Sequence, residues 1–303
     1  MIKLSVPRTV KGYFRNKPGA WVAGIIIIIL GTCIYFLLHD PVRPGSCRAA
    51  MFSVGGAPRV IDDYKKGVLY IIHNDDLAAK DKYITLYTPR GGDFNVLFPD
   101  STTVWLNAQS TIRYPANFSQ YSIELAVKGE AYIEVARNPS PRLRISVGSV
   151  LIESFGAHMN IRSYPEDPAV ITMVAGSAKI WLDQKFPWID GTELTLRPSE
   201  QAKLSELAFG EQVKLMVTPS ADDLNDIIDW KNGNTSFHNA SIQTIMHAVS
   251  RWYDVDIIYK GGIPDKKYTI SLPRSASLEQ LLSVLRKQGG IFSIQGKTVT
   301  VMK

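Results

Sequence analysis

The sequence predicts a single-pass membrane protein in which an all-β domain is followed by a small α+β domain at the C-terminal end of the chain. Three features support this prediction: an uncharged apolar run near the N-terminus, a long stretch of alternating apolar and polar residues, and a last stretch with apolar residues at intervals of three and four. Alternation is typical of half-buried strands, and the longer interval is typical of amphipathic helices. The chain of 303 residues is long enough for two compact domains beside an anchor.

The membrane anchor is predicted at residues 20–38, a run that contains no charged residue. At a helical rise of about 1.5 Å per residue it would extend for about 28 Å, close to the thickness of the hydrocarbon core. Five basic and no acidic residues lie in residues 1–19, which predicts a short basic tail on the cytoplasmic side. A cleaved signal peptide is the alternative, but it would have a shorter apolar core and a small-residue cleavage site after it.

The charge distribution argues against direct nucleic-acid binding. The net charge is +6, and five of the positive charges lie in the predicted tail, so the rest of the chain is nearly neutral. A surface that follows a phosphate backbone is therefore not expected. Cys33 lies in the predicted anchor and Cys47 shortly beyond it, so the two are not expected to pair. The part beyond the membrane has to fold without an internal disulfide.

The middle of the chain is predicted to be built from strands. Residues 39–82 are predicted to be a linker that starts rich in Pro and Gly and holds a possible first strand. Residues 83–205 contain short alternating segments separated by turn residues, and this pattern predicts an all-β domain. Three segments have the form strand–Gly–strand, which fits either a sandwich whose strands bend at glycine or a solenoid-like stack. The glycines at the expected kinks are Gly129, Gly156 and Gly176.

The last part of the chain is predicted to be a small α+β domain. A connector at 206–229 leads to residues 230–303, where the order of elements is strand–helix–strand, then strand–helix–strand–strand. Ser, Asn and a Ser-x-x-Gln pair stand where helix caps are expected. The predicted capping residues are Asn239 or Ser241 for the first helix, and Ser277 with Gln280 for the second.

A search for catalytic, cofactor-binding and metal-binding spacings finds only near misses, so no such site and no enzyme activity are predicted. Gly296-Lys297-Thr298 resembles the end of a phosphate-binding loop, but the glycine required five residues earlier is Ile291. The five histidines are scattered, without the spacing of a zinc site. The aromatic residues of the last domain are predicted to be core, with a partner-binding patch as the alternative. These residues are Trp230, Phe237, Trp252 and Tyr253.

Several long segments resemble, in the same order, the periplasmic domain of FecR-type transmembrane regulators of sigma factors. These segments are Thr88–Gly92, Phe94–Phe118, Lys128–Asn138, Glu153–Ile180 and Leu196–Ser205. The segment Trp230–Tyr259 resembles the C-terminal domain found on the Bacteroidetes branch of that family. This last domain is also similar to the small signalling domain at the N-terminus of TonB-dependent receptors and of secretins.

The resemblance implies a signalling protein of the inner membrane, with its N-terminus in the cytoplasm and most of the chain in the periplasm. It would be an anti-sigma-factor-type regulator that relays the state of a TonB-dependent outer-membrane receptor to an extracytoplasmic-function sigma factor. Family members usually carry a helical cytoplasmic domain before the anchor, whereas only 19 residues precede it here. The alternative is therefore a membrane-tethered periplasmic binding or scaffold module that has lost sigma-factor control. No cofactor is implied.

The resemblance also implies that the signalling domain of the receptor contacts the α+β domain. An exposed strand edge can add a strand from another chain, with backbone hydrogen bonds providing affinity. We therefore expect the partner to bind at a predicted edge strand of this domain. The candidate partner-binding residues are Tyr268, Thr269, Ile270, Ser271 and Leu272.

Overall fold

The computed structural model describes most of the chain after the predicted anchor. The described segments are residues 49–53, 59–61, 68–70, 83–116, 122–137, 142–154, 156–182, 193–205, 214–219 and 224–303. The predicted tail and anchor, as well as Cys33 and Cys47, lie outside these segments, and their placement stays a prediction. Within the segments just given, no helix combines the length and the hydrophobicity needed to cross a membrane.

Residues 49–219, called the β-rich region below, consist of short strands in the segments described, and burial alternates along many of them. This agrees with the period of two in the sequence. The strands are β1 (Ala49–Ser53), β2 (Arg59–Ile61), β3 (Val68–Tyr70), β4 (Tyr83–Thr88), β5 (Phe94–Leu97), β6 (Thr103–Leu106), β7 (Ser110–Pro115), β8 (Ser122–Glu134), β9 (Arg142–Val147), β10 (Val150–Ser154), β11 (His158–Ser163), β12 (Val170–Ala175), β13 (Ala178–Leu182), β14 (Leu194–Leu196), β15 (Glu200–Ser205) and β16 (Lys214–Pro219).

The long strand β8 belongs to two sheets. Its first half pairs with β7 and β9, and its second half pairs with β6 and β11. From β8, one sheet continues through β9, β10 and β13 to β14, and the other continues through β11, β12 and β15 to β16. Most ladders are antiparallel, and the pairs β8–β9 and β3–β5 are parallel. The sequence left a sandwich and a solenoid-like stack open, and in the structure β8 joins the two sheets into one continuous path of strands.

The two sheets share one hydrophobic core. Leu86, Ile145 and Ile180 of the first sheet are completely buried, as are Met159 and Ile171 of the second. Burying an aliphatic side chain of this size stabilises the folded state by about 1.5–3 kcal/mol. The alternating apolar residues are therefore the main source of stability of the β-rich region, and they fix which face of each strand turns inward.

Strand β8 passes from one sheet to the other at Gly129. The backbone there has a φ of 85°, which side chains other than glycine rarely adopt. A Cβ at this position would lie only 2.5 Å from the Oγ atom of Ser110 and 2.7 Å from its Cα atom. Gly156 and Gly176 also have positive φ, so the prediction of glycine kinks at these three positions is confirmed.

The structure differs from the expectation for residues 39–82, because it places the three strands β1, β2 and β3 in this range. The possible strand predicted there is present in part, as β3. Strand β1 pairs with β4 and strand β3 pairs with β5. The sequence did not indicate β1 because the segment 49–53 is short and is followed by Gly and Pro. Its partners are the three-residue strand β2 and the more distant β4.

Residues 224–303, called the C-terminal region below, have the predicted order of strands and helices. The elements are α1 (Leu224–Ile228), a 3-10 turn (Asp229–Asn232), β17 (Asn234–Ser241), α2 (Ile242–Tyr253), β18 (Asp256–Lys260), β19 (Lys267–Pro273), α3 (Leu278–Lys287), β20 (Ile291–Gln295) and β21 (Thr298–Met302). Strands β17 and β19 form one sheet, and β18, β21 and β20 form a second. Helices α2 and α3 each contact a strand of both sheets, so the helices lie between them.

The ends of the two longer helices are set by local sequence. The Oγ atom of Ser241 accepts a hydrogen bond of 3.1 Å from the backbone N–H of Thr244, which selects Ser241 over Asn239 as the cap of α2. At the start of α3, Gln280 N donates to Ser277 Oγ at 3.2 Å, and Ser277 N donates to Gln280 Oε1 at 2.7 Å. This is the predicted capping box, which satisfies two backbone donors that the helix leaves unpaired.

Candidate functional site between the two regions

A cavity of about 290 Å³ lies where the β-rich region meets the C-terminal region. Its walls come from β8, β11, β12 and β15 on one side, and from α1, the 3-10 turn, β17 and α2 on the other. Charged and aromatic side chains predominate among the residues that join the two walls. The most informative are Glu130, Asn160, Tyr164, Trp230, Arg251 and Arg274.

Arg90, in the loop between β4 and β5, holds the C-terminal end of helix α2. Its Nε and Nη2 atoms donate to the carbonyl oxygen of Ser250 at 3.2 and 3.1 Å, and Nη2 also donates to the carbonyl of Val255. The guanidinium forms an ion pair with Asp256 at 3.1 Å. The last carbonyls of a helix lack partners in the helix and carry partial negative charge. The backbone N–H groups of Asp254 and Val255 also bond Ser250 O, so Arg90 mainly adds positive charge at this end of α2. The neighbouring Gly91 N donates to the carbonyl oxygen of Arg251 at 2.7 Å.

Arg251 connects helix α2 with the turn between β11 and β12. Its Nη1 atom donates to the carboxylate of Glu166, and its guanidinium carbon lies 3.7 Å from the centre of the Tyr164 ring. Only 8% of the Arg251 side chain is exposed, so the ion pair is largely shielded from water on that side. Burial raises the pKa of Tyr164 further above neutral pH, so the ring beside the guanidinium is uncharged. This contact combines an ion pair with a cation–π interaction.

Arg274, which follows β19, reaches from the C-terminal region to the β-rich region. Its guanidinium carbon lies 4.7 Å from the centre of the Trp252 ring and 5.8 Å from that of Trp230. Its Nη2 atom donates to Asn107 Oδ1 at 2.6 Å, across the junction. Burial lowers the pKa of Arg274, and the negative charges of Asp93 and Glu130 oppose this shift. The guanidinium stays charged, because the ordinary pKa of arginine lies far above neutral pH.

Hydrogen bonds link these residues into a closed ring. The carboxylate of Glu130 accepts from Asn107 Nδ2 at 2.7 Å and from Asn160 Nδ2 at 3.2 Å. The Oδ1 atom of Asn160 in turn accepts from the indole N–H of Trp230 at 3.1 Å. Arg274 closes the ring, because it donates to Asn107 on one side and to the carbonyl oxygen of Trp230 on the other. The ring gives the polar groups at this junction partners from both regions, which a buried polar network requires.

Lys231 forms a further contact between the two regions. Its Nζ atom lies 3.1 Å from a carboxylate oxygen of Glu134, and 4.2 and 4.7 Å from the ring centres of Tyr132 and Trp105. Burial, with a contribution from Glu134, raises the pKa of Tyr132 to about 12. The junction is therefore held by four cationic side chains, each of which contacts acceptors or aromatic rings of the opposite region.

One cluster near the cavity has the residue types of a metal site. Potential ligand atoms of Glu166, Asp167 and His247 all lie within 4.8 Å of one another. However, Glu166 already pairs with Arg251, and Asp167 pairs with Arg162 at 2.5 Å. The two arginines neutralise the two carboxylates, so the cluster lacks the excess negative charge that favours a divalent cation. No spacing in the sequence indicated this cluster, because Glu166 and Asp167 are neighbours in the turn after β11 whereas His247 lies on α2, far along the chain.

The predicted partner-binding residues 268–272 lie in β19 and are not among the residues that line the cavity. Their strand is less open than the sequence indicated. Along one side β19 pairs with β17, and Tyr268 and Ile270 are buried. On the other side, Gln288 accepts a hydrogen bond of 3.2 Å from Thr269 N and donates one of 2.8 Å to Thr269 O. The role of this strand in partner binding stays a prediction.

Sequence reasoning identified some residues of the junction but not their arrangement. Trp230, Trp252 and Tyr253 are buried, as the core interpretation predicts, and Phe237 is partly exposed. Three of the four, Trp230, Phe237 and Trp252, line the cavity, so the two buried tryptophans are core residues of the junction as well. The arginines were missed because their partners lie 85 to 167 positions away in the chain. The one local signal was an arginine, Arg251, on the buried face of helix α2.

Comparison with protein families matches two parts of this fold. Residues 84–179 match the family described as FecR protein, and residues 234–301 match the family described as FecR, C-terminal. The two matches lie on either side of the cavity and together cover more than half of the chain. The chain therefore belongs to the FecR family.

Solved structures show the same fold. Two crystal structures of a protein described as a "putative anti-sigma factor" from Parabacteroides distasonis ATCC 8503 superpose on this chain, each with a TM-score of 0.61. The first is 21% identical and covers 72% of this chain and 98% of its own. The second is 20% identical and covers 73% of this chain and 99% of its own. At these identities the likeness concerns the fold. Comparison with curated proteins gives no match.

Proposed function

We propose that this chain is an inner-membrane signal transducer of the anti-sigma-factor type. In this role it relays the state of a TonB-dependent outer-membrane receptor to an extracytoplasmic-function sigma factor. Two findings support the proposal: both FecR family models match in one chain, and two crystal structures with this fold are described as an anti-sigma factor. The uncharged run at residues 20–38 and the basic residues before it support the location in the inner membrane.

The observation on which the mechanism depends is the polar junction between the two regions. Four cations of the two regions meet acceptors or aromatic rings across it, and two of them, Arg251 and Arg274, line the cavity of about 290 Å³. Polar junctions between domains permit relative movement more readily than large apolar ones. In the proposed mechanism the receptor binds the C-terminal region, and the arginine contacts transmit this event to the β-rich region. The β-rich region then acts on the anchor and the cytoplasmic tail.

The proposed function is tested by transcript profiling of a strain that lacks the chain and of a strain that overproduces it. We expect the two strains to change the expression of one receptor operon in opposite directions, because the activity of a sigma factor changes with the amount of its regulator. Unchanged transcripts in both strains would contradict the proposal. If the chain still bound the receptor in that case, the tethered periplasmic binding or scaffold module would be the better description.

A further inference from the structure

One end of the C-terminal region points away from the junction. Strand β18 starts at Asp256, which pairs with Arg90, and ends at Lys260. Strand β21 runs parallel to β18 and leads to Lys303, whose N–H donates to the carbonyl oxygen of Lys260 at 3.2 Å. The C-terminal end of helix α3 lies at the same end of the region. There the Nζ atom of Lys266 is close to Gly289, which follows the helix.

Five lysines surround this end, and all of them are exposed. In the C-terminal region, all of which the structure describes, none of the five forms an ion pair, whereas the other cations do form ion pairs or hydrogen bonds. Lys231, Arg251, Arg286 and Lys297 pair with carboxylates, and Arg274 lies in the hydrogen-bonded ring. The unpaired charge is therefore concentrated at one end, where Asp265 is the neighbouring acidic residue. The five residues, called the lysine pole below, are Lys260, Lys266, Lys267, Lys287 and Lys303.

Exposed apolar side chains accompany the lysine pole. Among the residues described, the large hydrophobic side chains that are exposed are Ile258, Ile263 and Ile291, at 53%, 45% and 53%. Ile263 lies in the turn that follows Lys260, and Ile291 pairs with Met302 at the end of β21. Ile258 lies on β18, two residues before the pole. Apolar side chains within a rim of charge are typical of surfaces that bind another protein.

The outer edge of β18 offers backbone groups beside this surface. Asp256 N donates to the carbonyl oxygen of Lys297, and Lys303 N donates to the carbonyl oxygen of Lys260. The backbone groups of the even-numbered residues of β18 therefore face β21. Because strand residues alternate, the N–H and C=O groups of Ile257 and Tyr259 point to the opposite side, where no described strand pairs with them. The other edges are partly used: Gln288 bonds Thr269 of β19, and Arg286 donates to Phe292 O of β20 at 3.3 Å.

We infer that the lysine pole and the outer edge of β18 together form a docking surface for an acidic edge strand of a protein partner. This inference rests on the proposed function, and it specifies the chemistry of the receptor domain that binds there. The lysines attract carboxylates of the partner, the isoleucines contact its apolar side chains, and Ile257 and Tyr259 bond its backbone. A lipid surface is a poorer fit, because lipid tails cannot pair the backbone groups of a strand edge.

The test titrates the full-length chain, in detergent micelles, with the purified signalling domain of the TonB-dependent receptor encoded beside it. We expect Lys260→Glu with Lys303→Glu to weaken binding about tenfold or more, and we expect added salt to weaken the binding of the unmodified chain. The matched control is Lys128→Glu with Lys179→Glu, which reverses two exposed lysines of the β-rich region and should change binding less than about twofold.

A second variant, Ile257→Pro, tests the strand edge. The N–H of Ile257 points outward, and proline is tolerated at such a position of an edge strand, so the melting curve should stay close to that of the unmodified chain. We expect its binding to weaken about tenfold or more, because the edge loses a donor and the ring obstructs the added strand.

Three outcomes would overturn the inference, and they can be told apart. If the unmodified chain does not bind the receptor domain at concentrations up to about 1 mM, the inference and the receptor contact of the proposed function both fail. If it binds, and both the lysine and the proline variants bind equally well, only the docking surface is wrong. If the lysine variant loses capture of phosphatidylglycerol vesicles but keeps receptor binding, the pole is a lipid-binding surface instead.

Discussion

Single residues at the junction combine charge with burial. The guanidinium group offers five donors in one plane and stacks on aromatic rings, so Arg274 can bond Asn107 and lie between two tryptophans at the same time. Arg251 does the same with Glu166 and Tyr164. Removal of one partner of such a contact leaves the other polar group buried without a hydrogen bond, which lowers the stability of the folded state by about 1–3 kcal/mol.

We therefore predict that Arg274→Ala lowers the free energy of unfolding of a fragment of residues 43–303 by about 2–4 kcal/mol, through the loss of its hydrogen bonds and ring contacts. Urea denaturation followed by tryptophan fluorescence measures this change. The control is Lys179→Ala, which removes a surface ion pair with Glu193 in which both side chains are about half exposed. Its expected effect is below about 1 kcal/mol. Equal losses in the two variants would show that Arg274 does not hold the junction.

Two tyrosines of the C-terminal region differ in one hydrogen bond. The hydroxyl of Tyr253 donates to Ala276 O at 2.9 Å, whereas the buried hydroxyl of Tyr259 has no partner among the residues described. Tyr253→Phe should lower the free energy of unfolding by about 1 kcal/mol, and Tyr259→Phe should leave it unchanged or raise it, because no bond is lost and the cost of burying a hydroxyl disappears. Thermal denaturation of the two variants decides this, and a clear destabilisation by Tyr259→Phe would contradict it.

Among the secondary-structure elements, β8 determines the architecture of the β-rich region, because it pairs with four strands and belongs to both sheets. The Gly129→Ala variant should lose at least about 3 kcal/mol of stability, since a Cβ there meets Ser110 and the backbone is in the left-handed region. Gly148→Ala is the matched control, because Gly148 has a φ of 59° but no atom within 4 Å of the added Cβ. It should lose only about 1–2 kcal/mol.

Far-UV circular dichroism during chemical denaturation measures both glycine variants. If Gly148→Ala destabilised the protein as much as Gly129→Ala, backbone strain alone would account for both effects, and the close approach of β8 to Ser110 would have no energetic role. A stable Gly129→Ala variant would mean that the strand passes between the sheets in another way.

The elements also show what the sequence could predict. The strands of 83–205, the two longer helices and the capping box of Ser277 and Gln280 were predictable, because periodicity and caps act within a few residues. The order of strands was not, since β4 pairs with β1 and β7 and the signal for pairing is spread over distant segments. The junction was also not predictable, because Arg90 and Ser250 meet across 160 positions. The side chain of Gln288 occupies the strand edge at Thr269, and the alternating pattern of the strand does not indicate this contact.

At the scale of the whole molecule, residues 43–303 form one compact unit in which the two FecR-family parts share the cavity and its hydrogen-bonded ring. The buried apolar residues of the two parts come from separate stretches of the chain, and hydrogen bonds, ion pairs and cation–π contacts join the parts. Stability of the junction therefore depends on a few directional contacts, whereas each part has its own apolar core. In the proposed function, this division would let the receptor domain shift the junction without unfolding either part.

The last prediction follows from this division. The unmodified fragment of residues 43–303 should unfold in a single calorimetric transition, because each region buries groups of the other. With Arg90→Ala and Arg274→Ala together, α2 loses the cation at its C-terminal end and the hydrogen-bonded ring opens. The two regions should then unfold in two separate calorimetric transitions, and the fragment with Lys179→Ala, which changes no contact of the junction, should keep the single transition. A single transition at a lower temperature would instead show that apolar contacts couple the two regions, and the arginines could not then transmit the signal.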